Sequence, residues 1–193
     1  MSSQSTQVVV AFDLSQSSNA ALHRALTLAA RSPAHILHIL YVVEPHGRGI
    51  PQLPLHGAAT YEYAEQVQRE LATVIEWELK GMAPTADIHY FVHVRIGKPA
   101  DQILGLASEI GADAIIIGTK GLTGVERLVL GSVAEHVVRE AGCTVEVARE
   151  KSYGHVPLLE MTENPHHPHY VAPHRYSYTD RRVEQRPVAW PLY

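Results

Sequence analysis

The sequence predicts an α/β fold, a doubly wound parallel sheet with helices on both faces. Three observations carry this expectation. Over the first 150 residues, short runs rich in β-branched and apolar residues alternate with segments of helical period. Strand–helix–strand alternation is the pattern of a parallel sheet covered by its own crossover helices. The run "AIII" (114–117) is apolar on consecutive residues, as a strand buried on both faces must be.

The elements follow in order. The strand runs are "QVVVAF" (7–12), "HILHILYVV" (35–43), "IHYFVHVRI" (88–96), "ADAIIIG" (112–118) and "TVEVAR" (144–149). The first helix, about Ser17–Arg31, sets Ala21, Leu22, Ala25, Leu28 and Ala29 on one face. The second, about Thr60–Lys80, repeats Tyr63, Val67, Leu71, Val74 and Ile75 at spacings of three and four. The third, about Ala100–Ile110, carries Ile103, Leu104, Leu106 and Ala107, and the fourth spans about Val133–Ala141. The segment "EPHGRGIPQLPLHGAA" (44–59) has no period, is rich in Gly and Pro, and is long for a loop. It reads as a mobile flap over a site.

Composition narrows the function classes. A chain of 193 residues is long enough for one domain with a sizeable core plus an appendage. Its formal net charge of −4 does not suit a general nucleic-acid binder. No apolar run reaches the roughly 18 to 20 residues that cross a bilayer, and "MSSQSTQ" lacks the basic and apolar regions of a signal peptide. The single cysteine, Cys143, excludes an intramolecular disulfide and reads as an inert buried thiol. These features fit a cytoplasmic protein without a membrane partner.

The composition shifts near Lys151, dividing the chain into a domain over 1–150 and an extension over 151–193. Residues 150–193 hold six of the twelve prolines, five of the thirteen histidines and six of the thirteen aromatics, so the segment is no continuation of the core pattern. It reads as an irregular C-terminal arm without helix or strand period. Its aromatics, Tyr153 to Tyr193, leave open whether it docks on its own domain or on a partner, or stays disordered.

The stretch "GTKGLTGVERLVLGSVAEHVV" (118–138) is where chemistry concentrates. A strand ends at Gly118, a glycine-bearing loop follows, and Gly131-Ser132 opens a helix. Glycines leave backbone N–H groups uncovered, successive N–H groups form an anion nest, and the helix directs its positive end into the same space. That combination points to a phosphate. "SVAE" (132–135) also reads as a capping box, with Ser132 as cap and Glu135 three residues on. The P-loop and the dinucleotide-binding glycine spacings are both absent. The spacing present is Gly118, Gly121, Gly131, Ser132, or G-x2-G-x9-G-[ST].

This spacing resembles the ATP-binding signature of the universal stress protein family. "VVVAFDLSQSSNAAL" (8–22) resembles the family's first strand, aspartate and serine-bearing helix start. "ILYVVEP" (39–45), "GKPADQIL" (97–104) and "GSVAEHVVREAGCTVEVAR" (131–149) resemble its second strand, third-helix entry, and last helix and strand. The likeness covers about residues 6–150. It implies a five-stranded parallel sheet in the order 3-2-1-4-5, with a ligand at the switch point between strands 1 and 4. It implies that Asp13 and Leu14 lie near ribose and adenine, and that Val42 meets adenine through its backbone. Gly118, Thr119, Gly121, Gly131 and Ser132 would surround ribose and phosphates, and Val133 would add a backbone N–H. ATP is the implied cofactor, with Mg²⁺ suited to its phosphate oxygens. Asp13 also reads as a helix cap. Lys120 reads either as a phosphate partner or as a solvent-facing charge, and Arg127 as a surface charge. The family habit of pairing last strands implies a homodimer, although Glu146 interrupts that strand here with a charge.

Thirteen histidines raise the question of a metal. His35 and His38 face opposite sides of one strand, and His89 and His93 share a face roughly 13 Å apart. "HHPH" (166–169) is the dense cluster, without cysteine or a carboxylate pair to complete a structural site, so no metal site is assigned. No catalytic constellation stands near the loop, so no catalytic residue is named and at most weak ATPase activity is expected. The reading is an ATP-binding regulator of stress response acting through protein partners. The alternatives are a slow, self-modifying ATPase, or a non-nucleotide interaction module that uses the arm.

Overall fold

The computed structural model describes residues 5–82, 87–119 and 130–150, and the strand segments 175–179 and 182–186. The chain divides into two units, Met1–Glu150 and Lys151–Tyr193. In the first unit the elements run β1 (Thr6–Ala11), α1 (Gln16–Arg31), β2 (His35–Val43), β3 (Gly49–Ile50), β4 (Leu53–Pro54), α2 (Tyr61–Met82), β5 (His89–Ile96), α3 (Pro99–Ile110), β6 (Ala114–Gly118), α4 (Ser132–Glu140) and β7 (Thr144–Ala148). Five of the strands form one sheet in the order β5-β2-β1-β6-β7, and every neighbouring pair is parallel. Counting only these strands, that is the 3-2-1-4-5 order implied by the resemblance.

The alternation of side chains along each strand assigns the two faces. Val8, Val10, Leu37, Ile39 and Ile116 form one core with Ala21, Leu22, Ala25, Leu26 and Ala29 of α1 and Val67, Leu71 and Ile75 of α2. Val9, Ala11, Leu40, Ile115 and Ile117 face the other way, against Ile103, Leu106 and Ala107 of α3 and Ala134 and Val137 of α4. Helices therefore cover both faces, which is why β1 and β6 carry apolar residues at consecutive positions. Each fully buried Leu or Ile of these layers, such as Leu22, Leu71 or Ile115, contributes about 2 kcal/mol through removal from water.

Local chemistry sets the helix ends. Ser15 caps α1, its side chain accepting from the Ser18 N–H, and Ser32 ends the helix with its N–H on Ala29 O, directly before Pro33. Pro99 occupies the first turn of α3, where a missing N–H costs nothing, and Gly111 closes that helix in the left-handed conformation.

Two segments differ from their sequence reading. Residues 44–59, read as a mobile flap, are tied down. β3 and β4 pair antiparallel, and Ile50 is buried in the α1–α2 core. Leu55 N–H donates to Arg48 O (3.0 Å), Ala59 N–H to Pro45 O (3.0 Å), and the Tyr63 hydroxyl to Leu53 O (2.6 Å). In the second unit, β8 (Arg175–Thr179) and β9 (Arg182–Arg186) form an antiparallel pair where the composition shows no strand period. Two residues separate the strands in the sequence.

Candidate functional site

The sheet opens where its order reverses. β1 and β6 stay in register from Val8↔Ala114 to Val10↔Ile116. Beyond that level each follows its other neighbour. β6 remains on β7 through Gly118↔Ala148, and the first strand remains on β2, with Phe12 N–H donating to Leu40 O (2.9 Å). A crevice results at the carboxyl ends of β1 and β6, the position where a doubly wound sheet takes its ligand.

On one side of the crevice lie Asp13 and Leu14. Asp13 Oδ1 accepts from the Ser15 N–H (3.0 Å), and the Asp13 N–H donates to Ser18 Oγ (3.2 Å). Asp13 thus braces the entry to α1 through a side-chain turn, while the cap itself is Ser15. Leu14 has φ 65°, the one non-glycine residue with positive φ among the described residues. A left-handed leucine costs about 1 to 2 kcal/mol, and such outliers persist where surrounding contacts over-determine the backbone. Here they do: the hydrogen bonds of Asp13 stand on one side and the capped turn of α1 on the other, while the Leu14 side chain packs on the core.

Val42 lies on β2, and continuing the Ala11↔Leu40 register by two residues sets it level with Asp13. Its side chain packs on the α3–α4 face. Beside it, Tyr41 is buried on the opposite face. Burial, reinforced by Tyr63, Asp13 and Glu44, pushes its phenol up to about 12. Tyr41 therefore stays neutral next to the Asp13 carboxylate.

Across the crevice, β6 ends at Gly118. A Cβ there would stand 2.5 Å from Ser17 O and 2.6 Å from Ser17 C, so the first turn of α1 fills the space a side chain would need. Gly118 has a packing role that its place in a glycine motif does not reveal. Thr119 follows, half-buried, and its carbonyl accepts from the Gly131 N–H at 2.7 Å. This bond draws together the two ends of the glycine loop. Gly121, Lys120 and Arg127 lie outside the described residues.

The start of α4 corrects the capping expectation. The cap is Gly131, with φ −74° and ψ 156°, and it makes no side-chain cap hydrogen bond. Ser132 is the first helical residue, so the predicted capping box is displaced by one position. Val133 follows in the first turn and packs on the α3–α4 core. The positive end of α4 therefore lacks the side-chain oxygen that a Ser, Thr, Asp or Asn cap would supply.

Elsewhere the chemistry is sparse. Among the described residues, no group of three or more His, Cys, Asp or Glu could hold a metal, and "HHPH" lies outside them. Burial, then Asp113, raises the Cys143 thiol, which disfavours the reactive thiolate. A groove of about 460 Å³ beside Cys143, Gly111 and Ile115 lies at the amino ends of β6 and β7, the opposite end of the sheet from the crevice. A contact missed from the sequence joins His38 to His93, on neighbouring strands, at 3.0 Å. The β2–β5 register, which offsets the strands so that Leu40 lies opposite His93, was the signal needed to find it. Among the described residues, no helix is long and apolar enough to cross a membrane.

The model of the universal stress protein family matches residues 5–149. A universal stress protein of Methanocaldococcus jannaschii is 31% identical over 144 residues, covering 75% of this chain and 82% of that protein. The solved structure of the universal stress protein UspA from Lactobacillus plantarum superposes with a TM-score of 0.58 at 26% identity, covering 76% of this chain and 99% of its own. A family protein from Arabidopsis thaliana, solved with AMP bound, shares the fold with a TM-score of 0.51 at 16% identity, covering 83% of this chain and 98% of its own.

Proposed function

Since the chain belongs to the universal stress protein family, we propose that it binds ATP in the crevice between β1 and β6 and uses occupancy to regulate a protein partner in a stress response. The observation that carries this reading is the start of α4. Its cap is a glycine without a side-chain hydrogen bond, tied by Gly131 N–H to Thr119 O at the mouth of the crevice. An uncapped helix end that meets the switch point of a doubly wound sheet suits a phosphate on both electrostatic and hydrogen-bonding grounds. The AMP held by the Arabidopsis protein is in keeping with an adenine nucleotide as the ligand class.

In this reading Asp13 and Leu14 border ribose and adenine, and Val42 offers its backbone to adenine. Gly118, Thr119, Gly121, Gly131 and Ser132 surround ribose and phosphates, with the Val133 N–H at the helix start. The Ser132 hydroxyl, displaced from capping, has donor and acceptor capacity to offer a phosphate oxygen. Mg²⁺ would neutralise phosphate charge, held by phosphate oxygens and water. Residues 1–150 form the nucleotide-binding domain and 151–193 an extension toward partners. The protein is a cytoplasmic homodimer joined through β7. Glu146 need not oppose such pairing, because its carboxylate is matched by Arg24 of α1.

The test is to denature freshly purified protein and identify the released nucleotide, then measure ATP affinity of the full chain and of Gly131→Leu. The backbone of Gly131 suits any residue, so the variant should fold. ATP released intact near one per chain, and at least a tenfold loss of affinity in the variant, are expected. Wild-type affinity in Gly131→Leu would overturn the site, and released ADP would point to hydrolysis.

A further inference from the structure

We propose that His38 and His93 form a pH-responsive latch, which holds edge strand β5 against β2 and β1 while both rings are neutral and loosens it on acidification. The argument starts from a chain of hydrogen bonds crossing three strands. His93 Nε2 lies 3.0 Å from His38 Nδ1, and His38 Nε2 lies 2.8 Å from Gln7 Oε1. Gln7 Nε2 donates to Ser5 Oγ (2.8 Å), which leaves the oxygen of that amide facing His38. His38 must then carry its hydrogen on Nε2 and offer a lone pair at Nδ1, and His93 must donate from Nε2. Every atom of the chain has one role, and the neutral pair satisfies all of them.

The chain is anchored at its inner end. The Gln7 N–H donates to Asp113 Oδ2 (2.7 Å), and the Asp113 N–H to Gln7 O (2.9 Å), which ties β1 to the start of β6. At its outer end is β5, whose edge is also met from α2 by Gln68, donating to Val92 O (2.7 Å). Phe91 stacks on His38 with ring centroids 5.1 Å apart and is itself 56% exposed, so water reaches the rim of the cluster while His38 is buried.

A first proton can be shared by the pair, as imidazolium with imidazole. A second would put two N–H donors head to head at 3.0 Å. The charges facing the pair do not compensate. Arg95, on the same strand, opposes a charge on His93. Glu109 of α3 favours one, but its carboxylate is engaged by both terminal nitrogens of Arg95. Asp113 of the β6 start acts only through Gln7, and His89 shares the face one step beyond Phe91. Burial lowers both rings, and for His93 the neighbouring His38 and Arg95 add to it.

The folded state therefore binds fewer protons than the unfolded chain in the window below the ordinary histidine value of 6.5. Stability contributed by the pair is present above 6.5 and is lost as pH falls from 6.5 through the lowered folded values. In the limit of one refused proton, the folding equilibrium constant falls about 30-fold between pH 8 and pH 5.

Two measurements on the full chain test this. Nitrogen-15 NMR at pH 8 should show both rings as Nε2–H tautomers, and on titration both should protonate below 6.5. Denaturant unfolding at pH 8 and pH 5 should show a smaller pH dependence, by up to about 30-fold, in His93→Gln, which can donate to His38 but cannot take a second proton. The other titrating groups are common to both proteins and cancel. Either ring protonating at or above 6.5, the opposite tautomers, or an unchanged pH dependence in His93→Gln would overturn the proposal.

Discussion

Replacing Gly118 by alanine sets a methyl group against the Ser17 hydroxyl, which can turn away, and against the Ser17 backbone, which cannot. The new Cβ would stand 2.5 Å from Ser17 O and 2.6 Å from Ser17 C. Ordinary contact begins near 3.4 Å, so the end of β6 and the first turn of α1 must separate by close to an ångström. Both are held. β6 is bonded to β7 up to Gly118↔Ala148, and α1 is fixed by the Ser15 cap and the Asp13 turn. Overpacking typically costs 1 to 3 kcal/mol, and the immobility of both sides puts this case at about 3 kcal/mol. For a domain of about 150 residues that corresponds to a fall in Tm of roughly 6 to 12 °C. Thermal and urea unfolding of nucleotide-free protein would read it. Gly81→Ala is the control: its Cβ meets nothing within 4 Å, it lies in α2, and it should be neutral or stabilise by about 0.5 to 1 kcal/mol. A Tm for Gly118→Ala within about 2 °C of wild type would refute the argument that α1 occupies this space.

Two further outcomes follow from the same side of the crevice. At Leu14, Gly should be more stable than Ala by about 1 kcal/mol in denaturant unfolding, because both lose the leucine packing but only Gly relieves the positive φ. The Tyr41 phenol, at about 12 in the folded chain against 10 unfolded, should contribute stability that is lost as pH rises from 10 toward 12. Tyr41→Phe should flatten that alkaline limb by on the order of 2 kcal/mol, read as the difference in unfolding free energy between pH 9 and pH 11.5.

The parts legible in the sequence are those written in period. β1, β2 and β6 announce themselves as buried strands, and α2 by apolar residues at three and four, because burial on a fixed geometry forces a repeat. The strand order came from resemblance alone, since no local pattern records which strands are neighbours. What escaped was set by contacts across the chain or by very short elements. β3 and β4 have two residues each, too few for a period. The cap of α4 fell on Gly131 rather than Ser132 because capping preference is read from side-chain type, whereas the backbone turns helical one residue earlier. The constraint on Gly118 comes from Ser17, about a hundred residues away. His38 and His93 meet only through the β2–β5 register.

The hydrogen bond from Gly131 N–H to Thr119 O has a consequence for how this site can change over generations. It closes the intervening segment at its base, so β6 and α4 meet whatever the segment contains. Lengthening a closed loop is thermodynamically mild, about 0.6 kcal/mol for each doubling. Insertions and deletions between Thr119 and Leu130 would therefore come at little expense to the sheet. Drift in the length of that segment is thereby uncoupled from drift in the scaffold. Tolerance to changes in length should rise steeply between Thr119 and Leu130, which packs on the α3–α4 core, and fall as steeply outside the two residues that share the bond.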